Sequence, residues 1–368
     1  MDHRRWTASD QGPTAVGALA QTVDGYLWLG THDSLYRFDG FEFEKFEPAD
    51  GEPLGVVSAL AGTAEGLWVG FRAGGARLIS ANGVMQPVDP GLPDGVVYSF
   101  AEDQQGRVWV AADEGLAHHD GTGWRPIGKE MGFTGRHARA VHVDADGYIW
   151  AASEEELYML PPGASSFMGT GIRSQSISEI ASSSSGDVWI TDRSRERLLR
   201  LTKSSSAGVE FEEIPISSAN SIVLDEQGGA WLGTRGSGLY YLAAGKMHEP
   251  SEGSDVISSY TTHDGLSSDY ILAQLVDRDG TLWVGTDAGL DRFQRKTLAP
   301  LALSTGVGSS ALAVDGDGSL WVGSDNGRLT GFRNASHSIF ELDMPINSLV
   351  SSQQHGLLIG GHQGVFSL

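Results

Sequence analysis

One short string recurs along the whole chain at nearly constant spacing. Its fullest form is Gly-x-Leu-Trp-Val-Gly-Thr, as in Gly280–Thr286. Eight of the ten tryptophans occupy the same place in this string, and successive copies lie 40, 41, 41, 39, 42, 52, 38 and 37 residues apart. The nine anchor residues are Trp28, Trp68, Trp109, Trp150, Trp189, Trp231, Trp283, Trp321 and Leu358. A fixed period of this length indicates a repeat architecture.

Each copy of the repeat predicts four short strands. An apolar strand comes first, and a tight Asp-x-x-Gly turn such as Asp144–Gly147 leads into the strand that carries the tryptophan. The third strand ends in an Asp-Gly turn such as Asp39-Gly40, and a fourth strand follows. Asp caps such turns and Gly supplies their positive φ. A unit of four strands and about 40 residues with an internal tryptophan is typical of a propeller blade. The chain is therefore predicted to be all-β, a single β-propeller of four-stranded antiparallel blades.

The two ends of the chain predict how the ring closes. Trp6–Pro13 is similar to Tyr260–Ser267, in which a fourth strand leads into the next first strand. Gly364–Leu368 reads as a third strand with no fourth strand after it. We expect the N-terminal strand to complete this last blade, which gives one domain over residues 1–368 with nine blades and no exposed edge. Eight blades, or a seven-bladed ring followed by two blades of another ring, are the alternatives.

The anchor tryptophans are interpreted as structural. A bulky ring at the same place in every blade fills the space between neighbouring blades, and repeat packing explains all of them at once. The small residue two places later, such as Gly30 or Gly285, lets the next element pack closely.

Composition excludes several classes of partner and site. The chain has 47 acidic and 25 basic side chains, for a net charge of -22, which argues against nucleic-acid binding and against contact with an acidic membrane surface. It has no cysteine, so it has neither disulfides nor thiolate metal ligands. The Asp-x-Asp-Gly turns begin like calcium loops but lack the later acids of such loops. We expect no metal and no cofactor.

The repeat resembles a known bacterial family. The segments His263–Leu266, Asp277–Thr286 and Gly289–Phe293 of repeat seven, and Asp24–Gly40 of repeat one, are similar to the two-component regulator propeller repeat. Ser182–Gly186 in repeat five departs from that pattern. The resemblance implies a sensor module in the periplasm, attached in the parent protein to a membrane helix and an output domain outside this chain. It also implies a possible homodimer, and two seven-bladed rings as the usual family arrangement.

Binding residues are predicted in the variable loops, which follow the second and fourth strands on one face of the propeller. Three arginines there stand out against the acidic background and would suit an anionic or sugar ligand if they converge at the channel mouth. Otherwise they pair with nearby acids. The candidate ligand-binding residues are His32, Arg72, Arg136, His137, Arg235, Tyr270 and His362.

The leading hypothesis is a non-catalytic sensor that binds a small molecule or a protein partner. A propeller enzyme, a lyase or hydrolase with a site at the channel mouth, is one alternative. It would need a histidine with paired acids, and His137, His142 and His263 show no such partners in the sequence. A purely architectural or dimerisation ring is the other alternative.

Overall fold

The computed structural model describes residues 1–49, 51, 53–88, 90–183, 185–203, 208–214, 216, 219–244, 257–295, 310–333, 336–352 and 356–368. The chain forms two compact units, which we call unit 1 (Met1–Lys296) and unit 2 (Thr297–Leu368), whereas the sequence predicted one domain. Both consist of antiparallel sheets, and the helices among the described residues are short 3-10 turns.

In four blades the aspartate of the Asp-x-x-Gly turn bonds the anchor tryptophan directly: Trp109, Trp150, Trp283 and Trp321. In the third blade, Asp103 Oδ1 accepts hydrogen bonds from the backbone N–H groups of Gln105 and Arg107. Asp103 Oδ2 accepts the indole N–H of Trp109 at 2.9 Å. Gly106 completes the turn with a φ of 76°. The same aspartate therefore shapes the turn and satisfies the one polar atom of a buried ring.

Within the described residues, eight sheets have four strands and one has three. The strands of a sheet are consecutive in the chain and follow hairpin order, with one exception described below. The strands of unit 1 are β1 (Asp2–Thr7), β2 (Ala18–Gln21), β3 (Leu27–Gly30), β4 (Leu35–Phe38), β5 (Phe43–Lys45), β6 (Val57–Thr63), β7 (Gly66–Phe71), β8 (Ala76–Ser80), β9 (Met85–Pro87), β10 (Val97–Glu102), β11 (Val108–Ala112), β12 (Gly115–His119), β13 (Trp124–Ile127), β14 (Ala138–Val143), β15 (Ile149–Ser153), β16 (Leu157–Leu160), β17 (Met168–Gly169), β18 (Ile177–Ser182), β19 (Val188–Asp192), β20 (Arg197–Lys203), β21 (Val209–Ile214), β22 (Ala219–Leu224), β23 (Ala230–Thr234), β24 (Leu239–Leu242), β25 (Ile257–Tyr260), β26 (Ile271–Val276), β27 (Leu282–Thr286) and β28 (Gly289–Gln294). The strands of unit 2 are β29 (Ser310–Val314), β30 (Leu320–Ser324), β31 (Arg328–Arg333), β32 (Ser336–Glu341), β33 (Ser348–Ser352), β34 (Gly356–Gly361) and β35 (Gly364–Ser367).

The first strands of the seven blades in unit 1 form a closed ring. Each of β2, β6, β10, β14, β18 and β22 contacts the first strand of the next blade, and β26 contacts β2. Unit 1 is therefore a seven-bladed propeller whose central channel is lined by these first strands. The short 3-10 helices at Ala8–Asp10, Lys129–Met131 and Thr262–Asp264 lie in the loops between blades.

The N-terminal strand closes this ring at the seventh blade. β1 pairs with β28, with Trp6 opposite Leu290, and supplies the fourth strand of that blade. Its role as a fourth strand is confirmed, but the predicted pairing with the last repeat is wrong. In the described residues β35 pairs with β34 alone. The reason is geometric, since seven first strands already complete the circle and leave the third strand β28 open beside β1.

Hydrophobic clusters lie between consecutive blades. One cluster joins the seventh blade to the first through Trp6, Phe38 and Trp283. The anchor tryptophans of unit 1 are all buried, which confirms their predicted packing role. Unit 2 has its own cluster between its two blades, around Leu329 and Leu349.

Candidate functional site

Two cavities follow one another along the channel of unit 1. The mouth cavity, of about 510 Å³, lies among the loops at one end. The inner cavity, of about 380 Å³, is lined by first-strand residues of all seven blades. Seven residues line both cavities, so the two are continuous: Gly17, Ser58, Tyr98, Ser178, Arg193, Arg235 and Leu272.

One position in each blade places an ionisable side chain near the channel mouth. It is the fourth residue after the anchor tryptophan, just after the end of the second strand. From the first blade to the seventh, this position holds His32, Arg72, Asp113, Glu154, Arg193, Arg235 and Asp287. His32, Arg72, Arg193 and Arg235 line the mouth cavity.

Two of the three acids in this set, Asp113 and Glu154, pair with another arginine, Arg139. Arg139 lies on the first strand of the fourth blade, and its guanidinium pairs with Glu154 and lies 3.4 Å from Asp113 Oδ1. It also donates a hydrogen bond to the hydroxyl of Tyr98 and stacks over that ring. The two carboxylates therefore compensate the charge of Arg139.

Three other arginines keep their charge uncompensated. Among the described residues, no ion pair within 4 Å joins Arg72, Arg193 or Arg235 to a carboxylate. Burial lowers the pKa of Arg193, and the nearby guanidinium of Arg235 lowers it further. Two neighbouring cations in a partly buried place repel each other unless an anion lies between them. The mouth thus has a local positive charge in a protein with a net charge of -22.

The structure brings together three of the predicted site residues. His32, Arg72 and Arg235 line the mouth cavity. Tyr270 forms an antiparallel bridge with Arg235 but does not line either cavity.

The remaining predicted residues lie elsewhere. Arg136 is outside both cavities, and His137 bonds the carbonyl of Asp113 through Nδ1 with Nε2 3.8 Å from Glu154. His362 lies in unit 2, outside the ring. A ligand-binding role for any of these residues stays a prediction.

Sequence reasoning missed Arg139, Arg193 and Glu179. Arg193 could have been found, because it occupies the same repeat position as Arg72 and Arg235. Arg139 lies on a first strand, outside the variable loops in which binding residues were predicted.

Glu179 is the exceptional residue of the inner cavity. Its strand partner is Thr191, and the same register position in the other six blades holds a small residue. These small residues are Ala18, Ala59, Ser99, Ala140, Ser221 and Ala273. Burial raises the pKa of Glu179 to about 7, although its carboxylate accepts a hydrogen bond from the backbone N–H of Ile222. A carboxyl group thus projects into a channel that is otherwise lined at this level by alanine and serine.

Unpaired polar atoms lie beside it. In the described part of the chain, Asn220 Oδ1 and Gln274 Nε2 are buried without a hydrogen-bond partner. Both residues line the inner cavity. Gln274 is held by Ser221, whose hydroxyl donates to its Oε1 at 2.6 Å. Buried polar atoms normally find partners, so these two mark a place where a ligand or water would complete the hydrogen bonding.

His142 also lines the inner cavity. Burial lowers its pKa to about 4, and its Nε2 lies 2.8 Å from the hydroxyl of Ser182. It is therefore neutral at pH 7. Among the described residues, no group of three His, Cys, Asp or Glu side chains could hold a metal ion.

A groove on the opposite face is larger than the mouth cavity but less suited to a charged ligand. It has about 650 Å³ and lies between the first and second blades, near the Thr22–Gly25 turn. Arg37 in its lining pairs with Glu44, and its other charged residues are Asp24, Lys45 and Glu47, so acids outnumber bases there. The channel, with its unpaired cations, is therefore the better candidate.

Two stretches of the chain, residues 91–114 and 265–288, match the two component regulator propeller model. They fall in the third and seventh blades. The chain is a β-propeller protein that carries two-component regulator propeller repeats, as the sequence predicted. No curated protein matches it in sequence.

Solved structures similar to this chain include extracellular domains of putative one- and two-component systems and a lyase. The extracellular domain of the putative one component system BT4673 from B. thetaiotaomicron is 17% identical, with a TM-score of 0.66 over 100% of this chain and 52% of that chain. The domain of the putative hybrid two component system BT3049 from the same organism is 18% identical, with a TM-score of 0.63 over 100% and 53%. The chain thus spans about half the length of these domains.

A streptogramin B lyase is 14% identical, with a TM-score of 0.63 over 79% of this chain and 96% of that chain. At these identities the likeness shows the fold alone. In the described segments, no helix has the length and apolar character needed to span a bilayer.

Proposed function

We propose that unit 1 is a non-catalytic, extracytoplasmic sensor domain of a two-component-type signalling protein, and that it binds a small organic anion at the mouth cavity. The observation that carries the proposal is the convergence of Arg72, Arg193 and Arg235 from three blades on one cavity without carboxylate partners. Guanidinium groups are the side chains best suited to carboxylate recognition.

The arrangement also suits a sensor because the ligand would touch several blades at once. Arg72 lies on the second blade, and Arg193 and Arg235 lie on the fifth and sixth. An anion that draws these side chains together links opposite sides of one ring. The similarity to extracellular domains of the putative BT4673 and BT3049 systems supports an extracytoplasmic location.

The test is a thermal-shift and calorimetric screen of organic acids such as acetate, pentanoate, succinate and citrate. An anion that binds the folded state raises Tm. We expect Arg193→Ala and Arg235→Ala to weaken that anion about tenfold each, since a charge-assisted hydrogen bond is lost. Arg125→Ala, at a surface pair with Asp120, is the matched control. The proposal fails if no anion raises Tm, or if both channel variants respond like the control.

The enzyme alternative makes a different prediction in the same screen. If the channel catalyses a lyase or hydrolase reaction, a bound compound is consumed, which NMR of the mixture detects within hours. A sensor returns the compound unchanged. The architectural alternative predicts no binding at the mouth and no loss on removing Arg193.

A further inference from the structure

The inner cavity is chemically different from the mouth. The mouth offers guanidinium donors, whereas the inner cavity adds two acceptors, the carboxylate of Glu179 and the unpaired Oδ1 of Asn220. Both cavities are lined by Arg193 and Arg235, so one ligand can reach both regions. One region of this continuous channel is lined by arginines and the other by hydrogen-bond acceptors. A ligand that fits both regions carries a negative charge at one end and a positive charge at the other.

Glu179 is not required by the fold. Six blades of the ring place alanine or serine at its position, and so do the two blades of unit 2 with Ala311 and Ser348. Burying a carboxyl group there costs free energy unless it is compensated. Its only backbone donor is Ile222 N–H, and no cation pairs with it among the described residues. A cationic group of a ligand could therefore offset the cost of burying the Glu179 carboxylate.

The separation of the two ends follows from strand geometry. Glu179 pairs with Thr191, and Arg193 lies two residues beyond Thr191, just after the end of the second strand. Two residues of a strand span roughly 7 Å along the backbone. A ligand with well-separated charges, such as a chain of five carbons, matches this backbone spacing better than an α-amino acid does.

We infer that the channel binds a small zwitterion whose carboxylate lies between Arg193 and Arg235 and whose ammonium group lies between Glu179 and Asn220. The amide Nε2 of Gln274 then donates to a polar atom of the ligand backbone, which completes the hydrogen bonding of the inner cavity. This inference rests on the proposed function and names the ligand class of the same site.

The proton balance of the site supports this assignment. At pH 7 about half of Glu179 is ionised, and an ammonium group favours the ionised form. The other ionisable groups that line the inner cavity are His142, Arg193 and Arg235. None of them changes charge between pH 6 and 8, because the pKa of His142 is about 4 and arginine stays protonated. Affinity for the zwitterion should therefore rise between pH 6 and 8.

The experiment compares three probes of equal length by calorimetry on the whole chain. They are 5-aminopentanoate, pentanoate and 5-hydroxypentanoate, and glycylglycine serves as a peptide of similar charge separation. We expect 5-aminopentanoate to bind about tenfold more tightly than pentanoate at pH 8, with 5-hydroxypentanoate close to pentanoate. Glycylglycine reveals whether the natural zwitterion is a peptide or an amino acid with separated charges.

The variants isolate Glu179. Glu179→Gln should remove the preference for 5-aminopentanoate and its pH dependence while leaving pentanoate binding intact. Glu179→Ala restores the residue found in other blades, so it should fold and lose the same preference. Glu210→Gln, on the exposed fourth strand of the same blade, is the control.

The outcomes separate the two proposals. If pentanoate binds through the arginines and the amine adds nothing, or if Glu179→Gln keeps the preference, the zwitterion inference is overturned and the anion site stands. If none of the probes binds and Arg193→Ala changes nothing, both proposals fall.

Discussion

The two units of this chain use the same repeat with different results. In unit 1, the first-strand residue opposite the one after the tryptophan is well buried, as in Val141 (5% exposed) and Ile222 (0%). In unit 2 the equivalent Leu312 is 63% exposed, whereas Leu349 of the next blade is 8% exposed. Leu349 packs in the cluster that includes Ala311 and Ala313. Each blade therefore buries its inner face only when another first strand covers it.

Because the ring of unit 1 is closed, the first strand of every blade there has a neighbouring first strand on each side. β1 completes the seventh blade, and Trp6 packs on Trp283 and Phe38 with ring centroids 5.9 and 5.2 Å away. In unit 2, β35 presents the exposed side chains of Val365 and Phe366. The repeat sequence thus specifies the four-stranded blade, whereas the burial of its side chains depends on how many neighbouring blades pack against it.

The largest expected effect comes from breaking the closure of unit 1. Trp6→Ala should lower the free energy of unfolding by about 3–5 kcal/mol, because a buried aromatic ring is lost between two blades. Phe366→Ala in unit 2, where the ring is 46% exposed, should change it by about 0.5 kcal/mol or less. Urea unfolding followed by tryptophan fluorescence measures both. Equal losses in the two variants would mean that β1 does not close the ring.

A smaller difference is expected at the turn aspartates. Asp144→Ala should cost about 3 kcal/mol, since it leaves the indole N–H of Trp150 without its acceptor and removes one of the two carboxylates that bind Lys203. Asp315→Ala removes the acceptor of Trp321 at a more exposed site and should cost about 1 kcal/mol. Native-state hydrogen exchange of each blade reports the two losses separately. A larger loss at Asp315 would contradict the difference in burial between the units.

The third effect is confined to the channel and depends on pH. Folding raises the pKa of Glu179 to about 7 from its usual 4.5, so the folded state holds a proton that the unfolded state releases. The ionised form therefore destabilises unit 1 progressively as pH rises from about 4.5 to about 7.

Glu179→Gln should remove this penalty and stabilise the protein by up to about 3 kcal/mol at pH 8, with no gain at pH 4. Thermal unfolding at both pH values measures the gain. Ala311→Gln, at the equivalent position in unit 2, is the control and should show no such pH dependence. A gain at pH 4 equal to that at pH 8 would show that Glu179 is not buried in its ionised form.

The sequence predicted the blade, the anchor tryptophans and the identity of β1 as a fourth strand. It could not predict the partner of β1, because neither of the third strands Gly289–Gln294 and Gly364–Ser367 is followed in the described residues by a fourth strand from its own repeat. The local sequence pattern does not distinguish these two strands as partners for β1. The choice depends on how many first strands complete a circle, which is a property of the whole ring.

The candidate site was predicted in part for the same reason. Arg72 and Arg235 were found because variation at a repeated loop position is visible in the sequence. Glu179 was not found, because a single acid in an apolar strand stands out only after the strands are aligned in register. Arg136 and His137 were predicted to lie at the site although they lie outside both cavities, since loop membership alone does not tell which side chains face the channel.

The sequence by itself determined the period, the four strands of each unit and the turn chemistry, because these depend on contacts within about 40 residues. The tertiary structure alone decided that seven blades close into one ring while the last two belong to a second compact unit, and that Arg193, Arg235 and Glu179 share one channel. The physical reason is that ring closure and the convergence of side chains depend on contacts between distant repeats. The sequence pattern within a repeat is similar in every blade and does not specify those contacts.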